Sequence, residues 1–159
     1  FLSTGMCLLE EVKESVNAIV EEGNKQVVIL HTVSGYPTSS EDINLNVLRT
    51  YLNTFPGFPI GFSDHSVTPL ACIAAAAIGA KVLERHFTLD KNAEGLDHIV
   101  SSTPEEMRYL VDSVRDVERM LGSFEKIPFG PEIENRIVGR KSVIAIHDIK
   151  KGEKFSKNN

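Results

Sequence analysis

Two histidines carry the strongest chemical signal in this chain. His65 closes the run Pro59-Ile60-Gly61-Phe62-Ser63-Asp64, and His86 closes Val82-Leu83-Glu84-Arg85. Between them lies a stretch rich in Ala and Ile, of the length that joins two parallel strands through a helix. That arrangement points two imidazoles into one mouth at the C-terminal ends of neighbouring strands, where α/β proteins bind ligands. Neutral imidazole suits a divalent transition metal, and two such ligands leave positions open for water and substrate. The competing reading is that each histidine is only a hydrogen-bonded residue at a strand end.

Other polar residues fall on the same rim. Ser34 and Tyr36 follow the second apolar run and either bond a polar ligand or cap their loop. Ser63 can donate to an anionic oxygen, and a helix start near Ser66-Val67-Thr68 would help to hold phosphate or carboxylate. Asp97, in Asn92-Ala93-Glu94-Gly95-Leu96-Asp97-His98, reads as a carboxylate for a sugar hydroxyl or a base, or as an Asx-turn residue. His31 lies inside an apolar strand and is expected to be a satisfied core or rim histidine. His98 is expected as a rim contact and His147 as an exposed residue.

These residues need a scaffold, and the chain alternates strand and helix four times. Strands are expected over 1–4, 27–32, 60–63 and 81–87. The second is continuously apolar, as befits a strand buried on both faces. The first helix places Leu8, Leu9, Val12, Val16, Ile19 and Val20 on one face and ends at Gly23. The second is marked by Leu45, Leu48, Leu52 and Phe55. Thr68-Pro69 reads as an N-cap followed by Pro at the first helical position. Thr103-Pro104-Glu105-Glu106 reads as a capping box, before a helix that buries Met107, Leu110, Val111, Val114, Val117 and Leu121. Four βα units imply an α/β fold with a parallel sheet and right-handed crossovers. Half of a (β/α)8 barrel and a small doubly wound sheet both satisfy this. The absence of a GxGxxG turn weakens the dinucleotide-binding form of the second. Residues 122–139 read as a linker, and 140–159 as the start of a β-rich domain with a strand over 142–146 and a turn at 148–153.

Composition sets the bounds. The chain has 159 residues, 42% hydrophobic and 25% charged, with a net charge of −5. This gives no electrostatic footprint for nucleic acid. The longest apolar stretch, Ala71 to Ala80, is too short to span a bilayer, and no signal peptide is recognised. Cys7 and Cys72 form no CxxC, and both are expected to be buried reduced thiols in a cytoplasmic protein. Both ends of the chain look cut, so a longer parent polypeptide is expected.

Taken together, several ordered motifs resemble the sialic acid synthases. They are Ser3-Thr4-Gly5-Met6, Leu30-His31-Thr32-Val33-Ser34-Gly35-Tyr36-Pro37-Thr38, Gly61-Phe62-Ser63-Asp64-His65 and Glu84-Arg85-His86-Phe87-Thr88-Leu89-Asp90. The wider group includes legionaminic and pseudaminic acid synthases and spore-coat polysaccharide synthases. Arg140-Lys141-Ser142 with Ile149-Lys150-Lys151-Gly152-Glu153 resembles the start of their C-terminal antifreeze-like (SAF) domain.

The resemblance implies a fold, a reaction and a set of roles. Residues 1–121 would be the C-terminal half of a (β/α)8 TIM barrel, 122–139 a linker and 140–159 a truncated SAF segment, in a protein that works as a homodimer. The reaction condenses phosphoenolpyruvate with an N-acetylated amino sugar in its aldehyde form. The alkene carbon attacks the aldehyde, water captures the cation at C2, and phosphate leaves, giving a nine-carbon 2-keto acid. His65 and His86 would ligate Mn²⁺, or another divalent metal such as Mg²⁺ or Co²⁺. Ser63 would contact phosphoenolpyruvate, and Tyr36 and Asp97 the sugar. Ser34 stands where the family often has Asn contacting phosphoenolpyruvate, and Gly95-Leu96-Asp97-His98 replaces the usual Gly-Pro-Asp-His. The family's first four strands bring phosphoenolpyruvate-binding lysines that this chain lacks. The chain alone is therefore expected to be inactive.

Overall fold

The structure, a computed structural model, describes Phe1–Asn159 and divides into two units, Phe1–Gly122 and Ser123–Asn159. In the first unit four strands, β1 (Leu2–Ser3), β2 (Ile29–Thr32), β3 (Ile60–Asp64) and β4 (Val82–Arg85), form one sheet. All pairs are parallel, and the order β1-β2-β3-β4 runs without reversal. The sheet therefore has no switch point of the doubly wound kind. All four residues of β2 are buried, as its continuous apolar run requires.

Helices α1 (Leu9–Glu21), α2 (Asn46–Thr54), α3 (Leu70–Ile78) and α4 (Pro104–Leu121) share one core on one face of the sheet. Ile29, Ile60 and Phe62 meet Val12, Val16, Leu48, Tyr51, Cys72, Ala75 and Leu110 there. In α1 the buried pair Val12 and Val16 has the one-turn spacing of an amphipathic helix. Leu8 is exposed instead and precedes the helix, its amide donating to the Glu11 carboxylate at 2.6 Å. In α2, Tyr51 takes the inner position and Leu52 turns outward. Small Ala71, Cys72 and Ala75 let α3 approach the sheet closely.

The strand that carries Ser63 approaches its neighbours just as closely. A Cβ on Gly61 would sit 2.5 Å from Leu30 Cδ2 and 2.7 Å from the Val82 carbonyl. Only glycine permits this spacing.

Three further expectations for this unit are corrected. Thr68 does not cap α3, which starts at Leu70 with Pro69 at the cap position. The Thr68 carbonyl is taken by the Arg85 guanidinium at 3.0 Å and the Ser66 hydroxyl at 2.8 Å, which holds it out of the helix. Cys7 is exposed, in the loop after β1, while Cys72 is buried. In α4 the capping box of Thr103 and Glu106 forms, but Val111 and Leu121 stay exposed beside an open groove between α3 and α4.

The second unit holds α5 (Pro131–Gly139), inside the stretch read as a linker. Pro131 in its first turn, with Glu132 and Glu134, favours a helix start. The strand expected over 142–146 does not form a ladder, and Val143, Ile144 and Ile146 are exposed. A strand needs a partner for its backbone groups, and only the Ile146 amide finds one here, the Asn159 carbonyl at 3.0 Å. The turn at Lys150–Glu153 is present, closed by a 2.9 Å backbone bond with Gly152 at φ +89°.

Candidate active site

Strand alternation sends Ile60, Phe62 and Asp64 to the helix face, and Gly61 and Ser63 to the opposite face. On that second face the register aligns Thr32, Ser63 and Glu84 across β2, β3 and β4. Ser63 is 4% exposed and donates its hydroxyl to Glu84 Oε1 at 2.8 Å. The Thr32 hydroxyl beside it is buried without a hydrogen-bond partner. One residue beyond β3 and β4, His65 and His86 bring their rings to a centroid separation of 5.2 Å at 82°.

The environment of His65 selects its neutral tautomer. Its Nδ1 lies 2.8 Å from the Val33 carbonyl, which can only accept, so Nδ1 carries the proton. In the neutral ring Nε2 then keeps its lone pair, the form in which histidine ligates metal, with the second nitrogen held by a carbonyl. Tyr36 covers the ring, with centroids 4.1 Å apart and planes at 32°. The same tyrosine ring lies 5.8 Å from that of His86. His86 is partly exposed, and its Nδ1 lies 3.6 Å from Asp97 Oδ2.

Four of the six expected residues therefore converge, His65, His86, Tyr36 and Asp97, while Ser63 lies on the same face of the sheet, two residues before His65, with its hydroxyl on Glu84. Ser34 lies at the end of β2, exposed, with its hydroxyl against Gly5, where a Cβ would collide with it. It makes no hydrogen bond to those four. His31 is a satisfied core residue, as expected. Its Nε2 donates to the Ile43 carbonyl at 2.8 Å, and its ring packs on Tyr51 and Phe62. Burial lowers its pKa, against the opposing pull of that bond. His98 sits on the rim loop with Nδ1 2.7 Å from the Thr88 hydroxyl, and His147 is exposed.

Sequence reasoning gave no role to Glu84, Thr32 or the Asp64–Arg85 pair. Glu84 was findable, since Val82, Glu84 and His86 alternate onto one face and a carboxylate there is unusual for a buried sheet. Asp64 and Arg85 point to the other face, where their side chains are 0% and 1% exposed and form an ion pair.

The donor set suits a partly open metal site. Two imidazoles meet edge to face, and no group of three or more His, Cys, Asp or Glu side chains forms a ready cage. Such a pair leaves most coordination positions to water and substrate oxygens. The basic side chains on the rim segments are engaged elsewhere: Arg85 with Asp64, and Lys91 with Glu106 at 2.7 Å.

The NeuB family matches residues 1–126. N,N'-diacetyllegionaminic acid synthase of Legionella pneumophila is 42% identical over 98% of this chain and 45% of its own length. Human N-acetylneuraminate-9-phosphate synthase is 44% identical over 95% of this chain and 42% of its own. The crystal structure of a Leptospira borgpetersenii N-acetylneuraminic acid synthetase in complex with citrate superposes with a TM-score of 0.76 and 32% identity. That match covers 89% of this chain and 50% of the other. The chain belongs to the NeuB family, that of the sialic acid-type synthases. It spans about half the length of the curated relatives it matches. No helix is long and apolar enough to cross a membrane.

Proposed function

We propose that this chain supplies the metal-binding corner and part of the substrate site of a sialic acid synthase-type enzyme, which condenses phosphoenolpyruvate with an N-acetylated sugar aldehyde. The observation that carries the reading is the edge-to-face imidazole pair, with Nε2 of the neutral His65 ring left free by the Nδ1 bond to the Val33 carbonyl. A divalent cation, Mn²⁺ or else Mg²⁺ or Co²⁺, supplies Lewis-acid polarisation of a carbonyl oxygen when bound there. His65 and His86 would hold it. Ser63 would donate to an anionic oxygen of phosphoenolpyruvate, its proton now lent to Glu84. Tyr36 would wall the site against water and contact the sugar, with Asp97 accepting from a sugar hydroxyl. Ser34 would reach phosphoenolpyruvate only through a bridging water, since its hydroxyl lies at Gly5.

The four βα units would be the second half of an eightfold barrel, and Ser123–Asn159 would lead into a SAF domain of a cytoplasmic homodimer. The chain by itself would be inactive. Both basic rim residues are already paired, and a phosphate and a carboxylate need cationic groups to be held together.

Titrating Mn²⁺ into the chain, followed by water-proton relaxation, tests the metal corner. Binding that disappears in the His65→Ala/His86→Ala variant is expected. Equal binding by both would overturn the assignment. Phosphate release from phosphoenolpyruvate and N-acetylmannosamine by this chain alone would overturn its inactivity.

A further inference from the structure

The two histidines are adjacent in sequence to two other residues that pair with each other. Asp64 ends β3 and Arg85 ends β4, and they are register partners in the sheet. His65 follows the first and His86 follows the second. Successive strand residues point to opposite faces, so the ion pair lies directly behind the imidazole pair.

Arg85 ties the segment after β3 to the stretch around Val100 and Ser102. Its guanidinium donates to the Asp64 carboxylate, to the Ser66 carbonyl at 2.9 Å and to the Thr68 carbonyl at 3.0 Å. It also reaches the Val100 carbonyl at 3.1 Å and the Ser102 hydroxyl at 2.9 Å. These bonds continue to the backbone around both histidines. The Ser102 amide donates to the His86 carbonyl at 2.8 Å. The Ser66 amide donates to Asp64 Oδ1 at 2.8 Å, so His65 is bracketed between two held residues. Cys72 from α3 donates to the other carboxylate oxygen at 3.4 Å. Removal from water makes such a pair costly, and well-packed apolar residues of equal volume often stabilise as well. Folding alone therefore gives a weak reason for five guanidinium bonds at this place.

We infer that Asp64 and Arg85 are positioning residues: they fix the separation and aim of the His65 and His86 imidazoles. The inference rests on the metal reading of that pair. Arg85 is suited to the task by its planar fork, which holds several acceptors at fixed angles. A lysine keeps the charge and loses that geometry.

Arg85→Lys and Asp64→Asn, made in the full 159-residue chain, test it by two measurements. The first is ring NMR of the metal-free chain. The parent is expected to show a ring-to-ring cross-peak between His65 and His86. The variants are expected to weaken it and shift both imidazole signals. The second is Mn²⁺ titration, where the dissociation constant is expected to rise about 10–100-fold, the usual cost of losing an outer-shell partner. Leu48→Ala, a core truncation away from the pair, controls for destabilisation and is expected to leave both readouts unchanged. Asp64→Asn decides the matter if Arg85→Lys does not fold, because the amide keeps an acceptor for Ser66. Unchanged ring signals in a folded variant would overturn the inference, as would equal changes in the Leu48→Ala control. If the parent binds no Mn²⁺, the metal reading fails, while the ring signals still decide whether the ion pair sets the spacing.

Discussion

Ser63 and Glu84 are register partners on β3 and β4, joined side chain to side chain at 2.8 Å on the face that leads up to His65 and His86. The buried hydroxyl donates to a carboxylate on an exposed residue, so the bond contributes little to folding. Ser63→Ala is expected to cost about 0.5–1.5 kcal/mol, the net worth of a single hydrogen bond. Urea denaturation would measure this. Under the proposed function, phosphoenolpyruvate binding by a full-length synthase with this substitution is expected to weaken far more than stability does, and equal losses would place Ser63 outside the substrate site.

Gly61 separates β3 from Leu30 and from the Val82 carbonyl by less than a methyl group needs. Gly61→Ala is expected to destabilise the first unit by about 1–3 kcal/mol, as overpacking does. The midpoint of chemical unfolding should fall with no change in slope. An unshifted midpoint would mean that the strands relax apart freely.

His31 makes stability depend on pH. Its folded pKa lies below the ordinary value of 6.5, first because of burial, so the unfolded chain binds its proton more readily. Its contribution is complete above the unfolded pKa and is lost as pH falls from there through the folded value. Melting temperatures measured downward from neutral pH should fall, and His31→Gln should flatten that slope. A parallel slope in the variant would assign the effect to other groups.

Thr103 caps α4 by accepting from the Glu106 amide at 3.3 Å, while Glu106 accepts from the Thr103 amide at 3.0 Å. Thr103→Ala is expected to cost about 1 kcal/mol of stability. Lys91 is salt-bridged to the same Glu106, and its hydrogen bond, with that of the Thr103 amide, outweighs the upward push of burial to hold the carboxyl below its usual range. The loss should therefore read out by calorimetry and leave Mn²⁺ binding intact.

Periodicity made the first unit legible because its strands and helices differ in the spacing of their apolar residues. Val12 with Val16 and the run ending at Thr32 each admit one element type. The two histidines were legible because each follows such a run. What escaped was set by tertiary competition. Thr68 has the right side chain for a cap, yet its carbonyl is claimed by Arg85 from another strand. Arg85 and Asp64 stand in the same motifs as the histidines, but nothing local shows that they meet behind the sheet. In the second unit, Val143, Ile144 and Ile146 have strand composition without a partner strand, and composition alone forms no ladder.

The contrast between the two cysteines has a practical consequence. Cys72 is enclosed and hydrogen-bonded to Asp64, and burial together with that negative neighbour pushes its thiol far above the ordinary range. Cys7 stands in the open, two residues past Gly5, on whose side Ser34 rests. A thiol-directed fluorophore would therefore attach at one position of the unaltered chain, beside the rim and apart from the imidazoles. The chain thus comes with its own attachment point for an optical reporter of loop motion, with no cysteine to add or remove.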